Sequence, residues 1–491
     1  MVSASLVTTR STQRAPRPVD EVPGPADGPL AAVRRMRADP LSQFTALHDR
    51  YGPLVRLIRW PVSLFLVSDP EAIGDILVGG QKAYGKGAVL SGPGSRRRVV
   101  QPLRTLLGDG LLTSAGEDHL RQRRLMQPLF HKQRIAEYGQ QFVAIAESTA
   151  ASWHDGQRLD VHAEMSEMTL AIVARTIFDV DISDHVLDVV RAALDETMSG
   201  SAVQQASGLG LGESSRLPLP SVRRRRATRA ALDRTIYDLI DAHRAAGAGG
   251  TDLMSLLMAA RDGDTGGQLT DHEIRDEAVT LLLAGHETAA NALTWTFHLL
   301  GGAPAVAAKL GEELDTVLAG RLPTFDDLPR LAYTNAVFNE SMRLYPPVWA
   351  MVRHLVEDRE VAGYLLPAWS TLVIGQWVMH RDGRWWPHPE RFDPGRWLEP
   401  AGGAAGTSDA AGGAVATDSS GTRPRFAYFP FGGGRRQCIG NGFAVAEGVL
   451  ALATIAGRWT LTPASNTPVQ PEPAITLRPR GPVSMIVHSR R

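Results

Sequence analysis

Cysteine is nearly absent from this sequence, which has one, Cys438, among 491 residues. A single thiol forms no internal disulfide, and it builds neither a multi-thiolate zinc site nor an iron–sulfur cluster. Long apolar runs are lacking too, because no stretch reaches the roughly 20 residues that cross a membrane, and residues 1–20 contain no signal-peptide core. The 52 basic and 52 acidic residues leave no excess charge for nucleic acid. We therefore expect a cytoplasmic protein with no stable membrane anchor and no nucleic-acid partner.

The chain is longer than the ~250–300 residues at which one core usually divides. No shift in composition separates it, so we predict a disordered tail over residues 1–20 and a single large domain over residues 21–491. Residues 401–422 are rich in Gly, Ala, Ser, Thr and Asp, which predicts a low-complexity loop insert whose role the sequence does not indicate. We also expect irregular structure over residues 79–112 and 199–220.

Glycines surround the single cysteine in the stretch from Phe429 to Phe443, which reads FPFGGGRRQCIGNGF. Glycine permits positive φ and lets the backbone approach a flat ligand closely. A helix predicted over residues 444–457 places Cys438 just before a helix N-terminus, where a thiolate is favoured. The loop therefore suits one axial metal ligand, and the alternative is an inert, buried cysteine.

A second candidate site lies inside a long apolar helix predicted over residues 270–300. Its middle carries Ala284, Gly285, Glu287 and Thr288. A glycine and a carboxylate are unfavourable inside a buried helix, and such violations are expected at functional sites. Thr288 bonding back to the carbonyl of Ala284 is the structural alternative. The functional interpretation is a groove for a diatomic ligand at Ala284 and Gly285, with a hydroxyl from Thr288 and a connection to solvent through Glu287.

Two further pairs have helical spacing. His119 and Arg123 are four residues apart, and Glu340 and Arg343 are three apart, just before the prolines at 346–347. Each pair shares one helix face. Taken alone, each is an ordinary surface pair that contributes little to stability.

Together these motifs resemble the cytochrome P-450 family, and they follow the family order across residues 119–443. The helix motif resembles the family's oxygen-activation motif. Glu340 and Arg343 resemble its structural pair, which Arg396 is expected to close. The haem-loop pattern F-x-x-G-x-R-x-C-x-G is met in full by Phe431, Gly434, Arg436, Cys438 and Gly440. The resemblance implies a mainly α fold with a small β region, and haem b (iron–protoporphyrin IX) between the long helix and the cysteine loop.

The resemblance also implies individual roles. Cys438 would hold the iron as a thiolate and aid O–O cleavage. Glu287 and Thr288 would manage proton delivery through water, beside Ala284 and Gly285. The residues expected to contact the haem or its propionates are His119, Arg123, Arg353, Arg436, Phe431, Gly432 and Gly440. A folding role is expected for Glu340, Arg343 and Arg396.

The implied activity is that of a soluble, bacterial-type monooxygenase that inserts one atom of dioxygen into an apolar small molecule. Electrons from NAD(P)H would arrive through a ferredoxin reductase and a ferredoxin, and we expect a monomer. Segments 108–112, 119–130 and 216–220 look similar to bacterial members that oxidise terpenes. A terpenoid of secondary metabolism is thus the first expectation, and a fatty acid or polyketide the second. Two other classes stay open, namely a non-catalytic haem-thiolate sensor or binding protein and a helical binding protein with no haem.

Overall fold

The computed structural model describes residues 15–59, 63–80, 82–91, 97–101, 103–178, 189, 192–193, 220–246, 252–262, 266–398 and 423–490. The predicted insert at 401–422 and residues 199–219 of the predicted irregular segment lie outside these ranges, as do residues 1–14. Within the predicted tail, Arg17–Pro18 form a short strand that pairs in parallel with Tyr364–Leu366.

Helices make up most of the described chain, so the predicted mainly α fold is confirmed. Two helix pairs form the centre of the molecule, α7 with α10 and α6 with α14. The helices are α1 (Pro29–Ala38), α2 (Pro40–Tyr51), α3 (Pro70–Gly74), α4 (Arg104–Leu107), α5 (Gly116–Met126), α6 (Lys132–Ala151), α7 (Val161–Phe178), α8 (Pro220–Ala246), α9 (Leu253–Ala259), α10 (Asp271–Gly301), α11 (Pro304–Leu318), α12 (Ala332–Leu344), α13 (Gln376–Met379) and α14 (Asn441–Arg458).

The strands form small sheets at the margin of the helical body. They are β1 (Arg17–Pro18), β2 (Leu54–Ile58), β3 (Leu64–Val67), β4 (Tyr84–Lys86), β5 (Ala88–Ser91), β6 (Arg97–Val100), β7 (Arg158–Asp160), β8 (Met351–Leu355), β9 (Arg359–Val361), β10 (Tyr364–Leu366), β11 (Thr371–Ile374), β12 (Trp459–Pro463), β13 (Pro471–Pro473), β14 (Leu477–Pro479) and β15 (Ser484–Ser489). The largest sheet has the order β2-β3-β11-β8-β4, and β13 and β14 form a separate two-stranded hairpin.

The long helix α10 begins at a capping box, in which the Thr270 side chain accepts from the Glu273 N–H and the Glu273 side chain reaches back. Its 31 residues span roughly 46 Å at about 1.5 Å each. Most of its side chains are buried, including Leu293 and Trp295. The helix therefore crosses the core and can present one stretch of its surface to an internal site.

The prediction of irregular structure over residues 79–112 was wrong for part of that segment. It contains β4, which pairs with β8, and β5, which pairs with β6. Strand β4 depends on a partner more than 260 residues away, so no local pattern announces it. The pairing places Lys86 directly opposite Arg353.

Candidate active site

The cysteine loop is a backbone turn that closes on itself. The Cys438 N–H donates to the carbonyl oxygen of Phe431 at 2.9 Å. Gly432 and Gly434 adopt positive φ, +71° and +66°, which side-chain-bearing residues rarely adopt. Helix α14 begins three residues after the cysteine, at Asn441. The turn therefore needs glycine at 434, which is a position of the sequence motif, and at 432, which is not.

The Cys438 thiol lies in the interior of the molecule yet keeps accessible surface. Burial raises its pKa, while the N–H of Gly440 and the charge of Arg123 act in the opposite direction. A thiol with this combination faces an internal space rather than the outer surface, and a bound cation would be needed to hold it as a thiolate. The described residues contain no group of three or more His, Cys, Asp or Glu that could hold a metal ion. The sulfur can therefore serve as one axial ligand to a metal that a cofactor carries.

A cluster of cationic side chains converges near this loop from four elements. Burial, together with the charges of Arg436 and Arg353, lowers the pKa of Lys86 to about 7. Burial and Arg436 lower the pKa of Arg353 to about 10, and burial and Arg123 lower that of Arg436 to about 10. No carboxylate is among the causes of these shifts, so the charges repel one another without a counter-charge from the described residues.

The hydrogen bonds of this cluster are incomplete. Arg123 Nη1 donates to the carbonyl of Gln437 at 2.7 Å, and Arg436 Nη2 donates to the carbonyl of Ser114 at 2.7 Å. The Nη1 of Arg436 is buried without any partner. A buried guanidinium group normally requires an anion or a full set of acceptors. The two carboxylates of a haem fit this donor set, and the fit supports the sequence-based choice of Arg123, Arg353 and Arg436.

His119 differs from the arginines. It is buried on α5, and burial together with Arg436, Arg123 and Lys86 lowers its pKa to about 3. Its imidazole is therefore neutral in these surroundings and would contact a propionate as a hydrogen-bond donor. Lys86 supplies the further cation, and the sequence analysis missed it, because only the pairing of β4 with β8 brings it to Arg353.

The groove predicted on α10 is present in part. Ala284 is exposed on a helix whose neighbouring side chains are mostly buried. The hydroxyl of Thr288 donates to the carbonyl of Ala284 at 2.7 Å, which is the back-bond considered as the structural alternative. A Cβ on Gly285 would lie 3.0 Å from Val173 Cγ2 on α7. Close packing against α7 is therefore a second reason for glycine at this position, and its predicted role in the groove stays a prediction, as does that of the exposed Ala284.

Glu287 faces the β13–β14 hairpin. Its Oε1 accepts from the hydroxyl of Thr476 at 2.8 Å, across 189 positions of sequence. The sequence analysis predicted a connection from Glu287 to solvent and did not single out Thr476. Nothing local could have found this residue, because the contact exists only once the hairpin packs on the helix.

The groove and the cysteine loop border the same apolar interior. Leu281 of α10 packs against the hydrophobic core that also receives Phe431 and Ile439. Gly432 and Gly440 flank the cysteine at intermediate exposure. The helix that carries the motif and the cysteine loop therefore pack against the same hydrophobic core.

The expected folding pair forms a buried hub on α12. Arg343 donates through Nε and Nη2 to the two oxygens of Glu340, at 2.8 and 2.9 Å. Arg396 donates to Glu340 Oε1 at 2.9 Å, as its position in the sequence suggested. Trp397, which departs from the phenylalanine common in the resembled family, donates through Nε1 to Glu340 Oε2 at 3.0 Å. The carboxylate is thus fully bonded, so the hub serves folding rather than chemistry.

Comparisons with known proteins agree with this geometry. The Cytochrome P450 family model matches residues 18–486. The chain is 38% identical to cyclooctatin synthase of Streptomyces melanosporofaciens over 95% of both chains. It is 37% identical to cyclooctat-9-en-7-ol 5-monooxygenase of the same organism over 87% of this chain and 86% of that protein. The crystal structure of the cytochrome P450DA haem domain covers 97% of this chain and 99% of its own, with a TM-score of 0.80 and 26% identity.

The chain therefore belongs to the cytochrome P450 family. It is an oxidoreductase of the monooxygenase class, with a haem cofactor that takes a cysteine thiolate as ligand. Among the described residues, no helix is both long and apolar enough to cross a bilayer.

Proposed function

We propose that this P450 oxygenates a terpenoid of secondary metabolism and that Cys438 is its axial ligand. The observation that carries the site assignment is a buried cationic cluster, with the Nη1 of Arg436 left without a hydrogen-bond partner, near a lone interior thiol. The substrate class is supported by the relatives, which modify terpenoids.

The chain's own residues divide the work of holding the cofactor. Cys438 would hold the iron, and Arg123, Arg353, Arg436 and Lys86 would bind the propionates as cations, with His119 as a neutral donor. Haem, when bound, supplies the redox chemistry that activates dioxygen. Phe431, Gly432 and Gly440 shape the turn that presents the sulfur.

Proton transfer is assigned to α10. The hydroxyl of Thr288 donates to the carbonyl of Ala284, so its oxygen lone pairs remain able to accept from water. Glu287 then exchanges protons with that water as a general acid and base. Ala284 leaves room beside the hydroxyl for the small molecules involved.

The substrate space is lined by apolar groups. Leu281 of α10 and Ile475 at the tip of the β13–β14 hairpin are partly buried against the main core. Apolar surfaces recognise a hydrocarbon through area and shape. A largely hydrocarbon terpenoid suits such a lining.

For the electron supply we propose NAD(P)H, a ferredoxin reductase and a ferredoxin, as in the soluble bacterial type that the sequence resembles. We likewise propose a monomer in the cytoplasm. Mixing the purified protein with a ferredoxin–reductase pair and NADPH tests the proposed electron supply. Size-exclusion chromatography with light scattering tests the proposed monomeric state.

The reduced, carbon-monoxide-bound absorption spectrum tests the site. We expect the thiolate-type Soret shift in the native chain and its loss in Cys438→Ser. A native spectrum without that shift would contradict the haem-thiolate assignment and, with it, the conclusion that the protein is a monooxygenase.

Substrate titrations then test the class. We expect cyclooctat-9-en-7-ol to change the iron spin state and to gain one oxygen atom during turnover, and we expect lauric acid to do neither. Turnover of lauric acid alone would replace the terpenoid proposal with a fatty-acid one. Binding without turnover of either compound, under full reduction, would favour a sensor.

A further inference from the structure

One polar side chain of the β13–β14 hairpin, that of Thr476, is hydrogen-bonded to the proton-transfer helix. Thr476 stands at the tip of the hairpin and is buried. Its hydroxyl lies 2.8 Å from Glu287 Oε1 and 3.2 Å from Asn291 Nδ2. Glu287 and Asn291 are one helical turn apart on α10, so the threonine bridges two successive polar positions of the same helix.

The hairpin tip is held in place on both sides of Thr476. The indole N–H of Trp349 donates to the carbonyl of Ala474 at 2.9 Å. The indole N–H of Trp295, itself on α10, donates to the carbonyl of Leu477 at 3.0 Å. Both indoles are buried. The position of the Thr476 hydroxyl is therefore fixed relative to α10 and does not depend on a flexible loop.

The geometry sets the direction of the hydrogen bonds. A threonine hydroxyl has one hydrogen and two lone pairs. When Glu287 is ionised it can only accept, so Thr476 donates to it and accepts from the amide N–H of Asn291. The amide oxygen of Asn291 is buried and has no partner in the structure. Among the polar atoms of Glu287, Asn291 and Thr476, this buried oxygen is the one whose lack of a partner needs an explanation.

We propose that Thr476 is a positioning residue for the carboxylate of Glu287, and that Asn291 keeps Thr476 bonded in both protonation states of that carboxylate. When Glu287 takes up a proton, it becomes a donor to the Thr476 oxygen. The hydrogen of Thr476 then needs an acceptor, and a half-turn of the Asn291 amide brings its oxygen to that place. The role of the network in turnover rests on the proposed function of Glu287.

Other ionisable groups near the network are already engaged. His286, beside Glu287 on α10, lies 3.0 Å through its Nδ1 from the hydroxyl of Thr169 on α7. On the hairpin, Arg478 donates to Glu472 at 3.0 Å. Two neutral groups are connected to Glu287 by the described hydrogen bonds, namely the Thr476 hydroxyl directly and the Asn291 amide through Thr476.

Infrared difference spectroscopy of the haem-loaded protein tests the positioning without turnover. The carboxyl band lost in Glu287→Gln identifies Glu287, and its pH titration gives the pKa. Thr476→Val should raise this pKa by about one unit, because a hydrogen bond to the charged form is lost. Thr476→Ser should restore it. Thr296→Val removes another buried hydroxyl of α10, which donates to the Ala292 carbonyl, and should leave the pKa unchanged.

Turnover of cyclooctat-9-en-7-ol with a ferredoxin–reductase pair provides the second measurement. Thr476→Val should lower product per NADPH by about three- to tenfold and raise hydrogen peroxide accordingly. The spin-state titration with the same compound should change little. In Glu287→Gln, adding Thr476→Val should cause no further loss, because the threonine acts through the carboxylate.

The possible outcomes separate the two ideas. An unchanged Glu287 pKa in Thr476→Val overturns the positioning role, whatever happens in turnover. A raised pKa with wild-type product yield in Glu287→Gln upholds the positioning and overturns the proton-transfer function of Glu287. Additive losses in the double variant would also overturn the inference, because Thr476 would then act on the substrate directly.

Discussion

Cys438 would be an unremarkable buried thiol without its surroundings. Burial raises its pKa, and only the Gly440 N–H and the distant charge of Arg123 favour the thiolate. Its capacity to act as a ligand therefore depends on a metal cation reaching it. In the proposed site this cation comes with a dianionic cofactor, and we expect the buried cations, as well as the sulfur, to decide whether the cofactor binds.

Lys86 yields a pH-dependent prediction. Its pKa is lowered to about 7 from an ordinary value of 10.5, so between these values the unfolded chain holds more protons than the folded one. The destabilisation from Lys86 is complete below about pH 7 and fades as pH rises towards 10.5. A propionate beside Lys86 would favour its charged form and raise its pKa. Haem binding above pH 7 should therefore take up a proton. Haem affinity should therefore fall with rising pH, by up to about tenfold per unit.

Equilibrium titration of the haem-free protein with haemin from pH 7 to pH 9.5 checks this dependence. Lys86→Met should bind haemin more weakly at pH 7 and should show a flatter profile. Lys82→Met is the control, because Lys82 is exposed four residues earlier. A wild-type profile in Lys86→Met would show that Lys86 does not face the propionates.

At the scale of elements, the Glu340 hub joins α12 to the segment that carries Arg396 and Trp397. The Trp397 indole donates to a buried carboxylate, and a hydrogen bond to a charged group contributes about 1.5–3 kcal/mol. Trp397→Phe should lower the free energy of unfolding by about that amount in urea denaturation. Trp385→Phe is the matched control, because the Trp385 Nε1 has no partner to lose. Equal losses in both variants would contradict the role of the indole bond.

A second junction fixes the segment before α5 to the long helix. The Asp109 N–H donates to Asp276 Oδ2 at 2.8 Å, and the Leu111 N–H donates to Glu277 Oε2 at 3.0 Å. Gly108 has a φ of +62°, and a Cβ there would collide with the Asp276 carboxylate. Burial raises the pKa of Glu277 to about 8, so this carboxyl is largely neutral at pH 7.

Gly108→Ala should therefore lower the free energy of unfolding by more than backbone strain alone would, because the added Cβ also meets the Asp276 carboxylate. We expect a loss of about 2–4 kcal/mol in unfolding free energy, with faster amide exchange at residues 109–111. Gly116→Ala is the control, because Gly116 also has positive φ (+57°) but nothing lies within 4 Å of the added Cβ. It should cost about 1–2 kcal/mol from the left-handed backbone alone. Equal costs and equal exchange would show that Asp276 moves aside freely.

The sequence predicted the features that depend on near neighbours. The long helix over residues 270–300 and the spacing of Glu340 and Arg343 are local features, so helical geometry suffices to place them. Lys86 and Thr476 were missed because their partners, Arg353 and Glu287, lie about 270 and 190 residues away. The packing of Gly285 against Val173 was not predicted for the same reason, since Val173 belongs to another helix. Long-range packing, rather than composition, decides these positions.

For the molecule as a whole, the cationic cluster joins parts that are otherwise far apart in the chain. Lys86 lies on β4, Arg123 on α5, Arg353 on β8, and Arg436 in the cysteine loop. Their mutual repulsion opposes folding until an anion lies among them. A cofactor that binds only the folded state stabilises it by about 4 kcal/mol at a thousandfold excess over its dissociation constant. Binding should therefore tighten these four elements together.

Haem dimethyl ester separates the charge of the propionates from the rest of the cofactor. Both haem and the ester offer iron to Cys438 and a flat ring to the apolar interior, but only haem brings two carboxylates. We expect haem to raise the thermal midpoint by several degrees more than the ester, and only haem to slow amide exchange in β4 and β8. The β12–β15 pair, remote from the cluster in the sheet order, should exchange equally with either. Equal stabilisation by both compounds would mean that the buried cations bind some other anion. It would contradict the assignment of Lys86, Arg353 and Arg436 to the propionates.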